Sequence, residues 1–509
     1  MTLLDVVAAR PDEVALDDLT RTRTWAELLD RATRLGHVLR SHFGLAAGEH
    51  CAMVMGNRVE LVELVTAATL SGTWITPANW HLTAEELAFI FEDSAARVLF
   101  VDPVYEDVAR EAAARTGASL PVVVVGPELE VLIEAASPEP LPLDAPAGGN
   151  MFYTSGTTGR PKGVKRAGGG SVIGQLGALA AAGPVLGLDG GGPHLVTGPL
   201  YHAAPVGFAV MDLHNGAPMV IMPRWDPAQA LTLITQRRIR NTHLVPTMFV
   251  RLLRLPEAER AAFDPSSLHT VLHGAAPISP STKREMIAWW GASMVEYWGA
   301  SEGGVVTLIH ADEWTAHPGS VGRAVRTYEV FAADDDGVAL PAGETGTLWC
   351  RNLLTEAAFA YHNDDAKTAA AFLDARTYTI GDIGWVDEDG YVFLADRASN
   401  MIISGGVNIY PAEIEQALLD HPAVSDVAVF GIPDEEWGEQ VKAAVELVDG
   451  WTPSDTLAEE LRSYARTRLA GYKVPRSIDF EAELPRHPTG KLYTRLLKQR
   501  YWGDRSRVI

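Results

Sequence analysis

The stretch YTSGTTGRPKGV, residues 153–164, sets the interpretation of the whole chain. Gly156, Gly159 and Gly163 let a backbone turn tightly and carry its N–H groups up to a ligand. The hydroxyls of Thr154, Ser155, Thr157 and Thr158 and the ammonium of Lys162 add further donors, a set that suits phosphate oxygens. It is not the G-x-x-x-x-G-K-[ST] loop of the common nucleotidases, because Lys162 lies between Pro161 and Gly163. Taken alone, the composition equally describes a plain Ser/Gly turn.

Outward from the loop, the chain is organised as an α/β protein. Between residue 24 and the loop, helical stretches (WAELLDRATRLGHVL, RVELVELVTAATL, TAEELAFIFED) alternate with short apolar runs (CAMVM, TWITP, RVLFV). Such alternation predicts parallel sheet covered by helices on both faces. It resumes beyond the loop with APMVIMP, NTHLVP, HTVLHG and SMVEYWG, separated by helices such as PAQALTLITQRR. After about residue 325 two pieces with Asp-Gly turns, VFAADDDGVALPAGETGTLWC and GDIGWVDEDGYVFLADR, predict hairpins and a distorted β unit. The last 110 or so residues mix strands and two helices, the mark of a small α+β domain. The expected architecture is therefore a large N-terminal domain of several subdomains, residues 1–397, and a small C-terminal domain, residues 398–509.

Composition narrows the partners. A chain of 509 residues with 42 Lys plus Arg against 65 Asp plus Glu carries a formal net charge of -23, which repels nucleic acid and anionic membrane surfaces. Small anions are still admitted where a few fixed donors dominate the local field. Cys51 and Cys350 lie far apart in apolar runs and read as buried thiols of a reducing compartment. The N-terminal stretch lacks the pattern of a targeting segment and no apolar run is long enough to span a bilayer, so a cytoplasmic protein is expected.

Y-T-S-G-T-T-G-x-P-K-G resembles the signature of the adenylate-forming superfamily, which comprises acyl-CoA synthetases, luciferase-like enzymes and the adenylation domains of peptide synthetases. Further landmarks follow in the family's order: GPLYHAAP (198–205), HGAAP (273–277), EYWGASEGG (296–304), TIGDIGWVDEDGY (379–391), DRASNMIISGGVNIYPAEIE (396–415) and PRHPTGK (485–491). The resemblance covers essentially the whole chain and is nearest to a fatty-acid-type acyl-CoA ligase.

The resemblance implies ATP, Mg²⁺ and coenzyme A, and a reaction in two halves. A carboxylate attacks the α-phosphate of ATP, and a thiol then displaces AMP from the acyl adenylate. Thr154, Ser155, Gly156, Thr157, Thr158 and Lys162 would grip the β and γ phosphates, with Glu302 as the magnesium-linked acid. Gly274, Ala275, Ala276, Trp298, Gly299 and Ser301 would lie along the nucleotide. Asp382 would accept the ribose hydroxyls, and Arg397 would contact ribose or phosphate at the domain junction. Lys491 would bridge the attacking carboxylate and the α-phosphate from a mobile C-terminal domain that pivots near Ala398 and Ser399. After rotation, Ser404, Gly405 and Gly406 would line a pantetheine channel and Trp437 would shield the CoA nucleotide. His202 would gate the acyl pocket, which is formed with Val206, Phe208, Gly274, Ala300 and Gly303 and is apolar enough for a hydrophobic acid.

Three positions depart from the family pattern. Trp298 replaces a tyrosine that stacks on adenine, Ser301 replaces a threonine, and Ala360 replaces a glycine where a Cβ could narrow the site. They leave open an enzyme that works mainly on a preformed acyl adenylate. A ligase that loads a carrier protein is a further alternative. A luciferase-like oxygenase or a nucleotide sensor fits less well, since pure binding requires neither Lys491 nor Glu302.

Overall fold

The computed structural model describes residues 2–502 apart from 118, 155–160, 167–169, 277, 398–399, 405–406, 435–436 and 487–491; the side chains of Asp396, Arg397 and Asn408 are also outside the description. The order of elements follows local rules. Helix Trp25–His37 starts at a capping box in which Thr24 accepts from the Glu27 amide and the Glu27 side chain accepts from the Thr24 amide. Its apolar stripe of Trp25, Leu28, Ala32 and Leu35 is fully buried and packs on helix Val59–Ser71. That second helix is buried on nearly every face, including Glu60 and Glu63. Each of these carboxylates is matched by arginines. Glu60 takes Arg58 at 2.7 Å and also pairs with Arg21, while Glu63 takes Arg23 at 2.9 Å and Arg31 at 2.8 Å.

Two large sheets share the N-terminal part. The first is parallel throughout, in the order Val122–Val124, Ala96–Val101, His50–Val54, Trp74–Ala78, Gly149–Asn150. The second has 13 strands. Its parallel half holds Val14–Asp17, Met219–Ile221, His194–Val196, Asn241–Leu244, Thr270–His273 and Met294–Ala300, with Thr22–Thr24 antiparallel to Val14–Asp17 at the edge. Its other half is antiparallel, through Gly304–His310, Ser320–Ala324, Tyr391–Arg397, Thr377–Val386, Gly346–Asn352 and Tyr328–Ala333. The β unit expected after residue 325 is therefore hydrogen-bonded onto the parallel sheet rather than separate from it. The hairpin Met294–Ala300/Gly304–His310 makes the join by reversing chain direction. A third, small sheet pairs Phe152–Thr154 and Phe359–Tyr361 on either side of Lys162–Arg166.

From Ile402 onward the chain builds its own sheet of Val407–Ile409, Ile402–Ser404, Gly438–Leu447 and Val424–Asp434, with Ser477–Glu481 parallel to Gly438–Leu447. Helices Pro411–Leu419 and Asp455–Arg466 cover a separate core that includes Ile402, Ile414, Leu418, Val427, Val445 and Leu461. The fold is thus mixed α/β with a large N-terminal and a small C-terminal domain. Cys51 and Cys350 are buried free thiols, and burial pushes Cys51 up to about 12. Among the described residues no helix is long and apolar enough to cross a membrane.

Candidate active site

The parallel strands of the large sheet end at one cleft of about 2810 Å³, which also runs along the small C-terminal domain. Gly198, Val245, Gly274 and Trp298, each at or just past the carboxyl end of one of these strands, all line it. That edge is where open α/β sheets bind ligands, because loops diverge there and leave backbone groups unpaired.

The quoted loop is anchored at its base. Thr154 and Lys162 are register partners in an antiparallel pair, so residues 155–161 connect two paired strands. The Tyr153 hydroxyl donates to Asp93 Oδ2 at 2.6 Å, and the Asn363 amide donates to the Asp93 carbonyl at 3.1 Å. Asp93, at the end of helix Ala84–Asp93, thus ties together the strand entering the loop and the segment carrying Tyr361 and Asp364. Lys162 forms an ion pair with Asp364, 202 positions away, and this holds the Asp364 carboxyl below its usual range. Ser155, Gly156, Thr157 and Thr158 lie outside the described residues, whereas Thr154 lines the cleft.

Glu302 occupies the tip of the hairpin that joins the two halves of the large sheet. A register shift between Trp298 and Gly299 marks a bulge at its base, the device by which a strand re-aims its side chains. Gly299 is required there: a Cβ would stand 1.9 Å from the Gly304 carbonyl oxygen. The tip places Ala300, Ser301, Glu302 and Gly303 along the cleft. Glu302 Oε1 accepts from the Tyr361 hydroxyl at 3.0 Å, and Oε2 has no partner among the described residues. Gly303 abuts Tyr378, whose hydroxyl would lie 1.9 Å from an added Cβ.

Trp298 and Asp382 are bonded to each other. The buried indole N–H donates to Asp382 Oδ2 at 2.7 Å across 84 residues. Both line the cleft. Trp298 therefore combines an aromatic face with a hydrogen-bonding edge directed at Asp382. Asp382 is the register partner of Arg397 in the adjoining strand.

Gly274, Ala275 and Ala276 line the cleft, with Ala275 at φ +65, in the left-handed region that costs a non-glycine residue about 1 kcal/mol. Gly274 makes room for Tyr297, because a Cβ would sit 2.5 Å from the Tyr297 carbonyl oxygen and 2.9 Å from its ring. The Tyr297 ring meets Phe208 edge-on at 5.1 Å, and its hydroxyl lies 3.1 Å from His243 Nε2. Burial drives His243 down to about 3, so the ring is neutral. Val206 and Phe208 are buried on helix Ala203–His214, and His202 is the N-cap residue of that helix, its ring centre 4.3 Å from that of Tyr201 and tilted by 51°.

Ala360 needs correction: its side chain is exposed on the small sheet, opposite Lys165, so it narrows nothing. Tyr361, Lys367, His243 and Tyr297 escaped sequence reasoning, because each stands in a run that reads as ordinary strand or helix. The tyrosine directly after Ala360 and a lysine in the following helix were the local signals.

The C-terminal domain meets the cleft along one edge. Leu492, Tyr493, Thr494 and Arg495 line it, and Arg486 and Leu492 form an isolated bridge across the segment that contains Lys491, itself outside the described residues. An ion pair between Arg486 and Asp426 secures that segment. Contacts between domains include the Ser281 hydroxyl donating to Asp420 Oδ1 at 2.8 Å. Ser404 and Trp437 do not line the cleft. They stand side by side on the small domain, where Ser404 pairs with Gly438 and the Arg476 guanidinium lies 5.3 Å from the exposed Trp437 ring. Gly405 and Gly406, like the expected pivot at Ala398 and Ser399, lie outside the described residues.

Comparison with known proteins agrees with this arrangement. The chain matches the AMP-binding enzyme family over residues 3–355 and the AMP-binding enzyme C-terminal domain over residues 413–491. It is 32% identical to a fatty acid–[acyl-carrier-protein] ligase of Streptomyces coeruleorubidus, covering 96% of this chain and 93% of that protein. It is 33% identical to a long-chain-fatty-acid–CoA ligase of Mycobacterium tuberculosis, covering 94% and 93%. The structure of o-succinylbenzoate CoA synthetase from Bacillus subtilis in complex with its acyl-adenylate intermediate superposes with a TM-score of 0.82 at 26% identity, covering 100% of this chain and 99% of the other. The cleft, its hairpin tip and the two family matches lead to one conclusion: the chain belongs to the AMP-binding enzyme family, the adenylate-forming enzymes that activate a carboxylate with ATP.

Proposed function

We propose that the protein is an ATP-dependent acid–thiol ligase that converts a hydrophobic carboxylic acid to its CoA thioester. The observation that carries this is the assembly, around one cleft, of Thr154, Trp298, Glu302 and Asp382 with the residues that immediately follow Lys491. In the first half-reaction a carboxylate oxygen bonds to the α-phosphorus of ATP and pyrophosphate leaves. Lys491 offsets the charge that develops on the α-phosphate, and the donors of residues 154–162 hold the departing pyrophosphate. Asp382, oriented by the Trp298 indole, receives the ribose hydroxyls, and the indole face supports adenine. Glu302 is suited to Mg²⁺, since one oxygen is fixed by Tyr361 and the other is open; the ion when bound neutralises phosphate charge.

In the second half-reaction the thiol sulfur bonds to the acyl carbon, AMP leaves and the thiol proton is lost. Rotation of the small domain about Ala398 and Ser399 would take Lys491 away and bring in Ser404, Gly405 and Gly406. Trp437 with Arg476 beside it is fitted to a nucleotide carrying phosphates, which favours CoA as the thiol. His202, at the start of its helix, would separate the acyl group from the thiol path. Acyl transfer to a carrier protein is the second reading, supported by the relative that acts on one.

The test is to incubate the protein with ATP, Mg²⁺, CoA and a panel of fatty, aromatic and polycyclic acids, following thioester and pyrophosphate by mass. Parallel reactions use preformed acyl adenylates without ATP, and a phosphopantetheinylated carrier in place of CoA. Pyrophosphate and an acyl-CoA from at least one acid are expected. Thioester only from preformed adenylates, or only on the carrier, would displace this function in favour of the corresponding alternative.

A further inference from the structure

We propose that Lys367 is a second phosphate-binding cation of the nucleotide site, acting beside Lys162; this rests on the ligase function proposed above. Four charged side chains from three separate segments meet where the small sheet touches the hairpin tip. Lys162 leaves the strand Lys162–Arg166, Glu302 sits on the tip, and Asp364 and Lys367 cap and open the helix Asp365–Ala371. Tyr361 is their hub. Its hydroxyl donates to Glu302 Oε1 at 3.0 Å, and the Lys367 ammonium lies 4.2 Å from the centre of its ring. Lys162 is paired with Asp364, whose other oxygen accepts from the Lys367 backbone amide at 3.0 Å.

The ammonium of Lys367 is the unmatched member of this group. Among the described residues it makes no hydrogen bond and no direct ion pair and lies over the Tyr361 ring, while the Glu302 and Asp364 carboxylates are near enough to favour its charged form. It is half-buried and lines the cleft together with Tyr361 and Glu302. An ammonium carries three donors, and one partly withdrawn from water with only an aromatic face beneath it leaves donors unsatisfied. Burial and the nearby Lys162 cation also hold its pKa below the ordinary lysine value. Lys162 lies close enough to oppose the Lys367 charge, while Glu302 and Asp364 balance the two cations, so what a phosphate oxygen supplies here is an acceptor for the open donors of Lys367. The placement favours the β and γ phosphates over the nucleoside, because the group includes Lys162 at the base of the glycine loop, whereas the Trp298 indole N–H is bonded to Asp382.

The experiment is calorimetric titration of the full-length protein and of Lys367→Met with ATP, inorganic pyrophosphate and AMP, each with Mg²⁺ and without any acid. Lys367→Met should bind ATP and pyrophosphate about ten- to hundredfold more weakly, the range expected for a lost charge-assisted contact, and AMP unchanged. Lys367→Arg, which keeps the charge, should recover most of the ATP affinity. Retained AMP binding certifies that the variant's nucleotide site is folded. Equal losses for AMP and ATP, unchanged ATP affinity, or no recovery with arginine would overturn the assignment. If the wild-type protein binds no ATP at all, the ligase function itself fails, whereas wild-type binding with an indifferent Lys367→Met removes only the role of Lys367.

Discussion

Acidification from about pH 7.5 to about pH 5.5 is expected to remove about 5 kcal/mol of stability through four buried histidines. His50, His214, His243 and His273 are each at most 5% exposed. Among the described residues neither ring nitrogen of His50 or His273 has a hydrogen-bond partner. Burial pushes His50 and His243 down to about 3, His214 to about 4, and His273 well below its ordinary value of 6.5. In each case the folded pKa is depressed, so the unfolded chain takes up the proton first as pH falls. Stability is therefore full above about pH 6.5 and declines below it, until the folded values near 3 to 4 are reached. At about pH 5.5 an unfolded imidazole is about nine-tenths protonated and a folded one is bare, which amounts to about 1.4 kcal/mol per residue. The sum of about 5 kcal/mol is comparable with the whole stability of a typical domain. Carboxylates with lowered pKa, such as Asp18, act only at still lower pH, whereas His81 and His362, which burial also pushes down, add to the loss and Glu296, which burial pushes up, opposes it. The assay is urea unfolding followed by tryptophan fluorescence at closely spaced pH values. Below about pH 6 these four rings should together contribute a slope approaching four protons, and His214→Asn should remove about one of them. A midpoint that stays flat across the window, or a slope below one proton, would refute the claim that these rings are held neutral.

Other expectations concern the site and its support. Trp298→Phe keeps an aromatic face but removes the N–H that donates to Asp382 Oδ2, and should weaken AMP and ATP binding alike by about tenfold in titration, with a lowered melting temperature. Tyr361→Phe frees Glu302 Oε1 and should raise the Mg²⁺ concentration needed for pyrophosphate exchange severalfold, while AMP affinity holds. Lys283 and Glu296 form a buried ion pair, with side-chain exposures of 1% and 8%, and the ammonium lies 4.6 Å from the Trp314 ring. Lys283→Met should cost about 3–5 kcal/mol in urea unfolding, and pairing it with Glu296→Leu should recover much of that loss. Gly303→Ala drives a Cβ into the Tyr378 hydroxyl, which bonds to Tyr328 at 3.1 Å, so it should abolish thioester formation or yield insoluble protein.

Much of the fold was legible because its signals are local. Apolar runs such as residues 51–55 and 97–101 coincide with buried parallel strands, and the Asp-Gly turns at residues 336–337 and 389–390 lie between strands that do pair. The glycine-and-hydroxyl loop and the order of the later motifs were enough to assign the family. What the sequence could not show is which residues meet. The expected β unit turned out to continue the parallel sheet, since a strand's periodicity reports its buried faces but not which neighbour shares its edge. Trp298 and Asp382, Tyr361 and Glu302, and Lys162 and Asp364 are separated by 84, 59 and 202 positions, and each pair exists only because sheet order differs from chain order. The sequence by itself thus determined the donors available and their family. Tertiary structure decided which donors are already engaged, at Asp382 and Lys162, and which ammonium, that of Lys367, is left facing the cleft, because a hydrogen bond depends on ångström-scale distance that no spacing along the chain encodes.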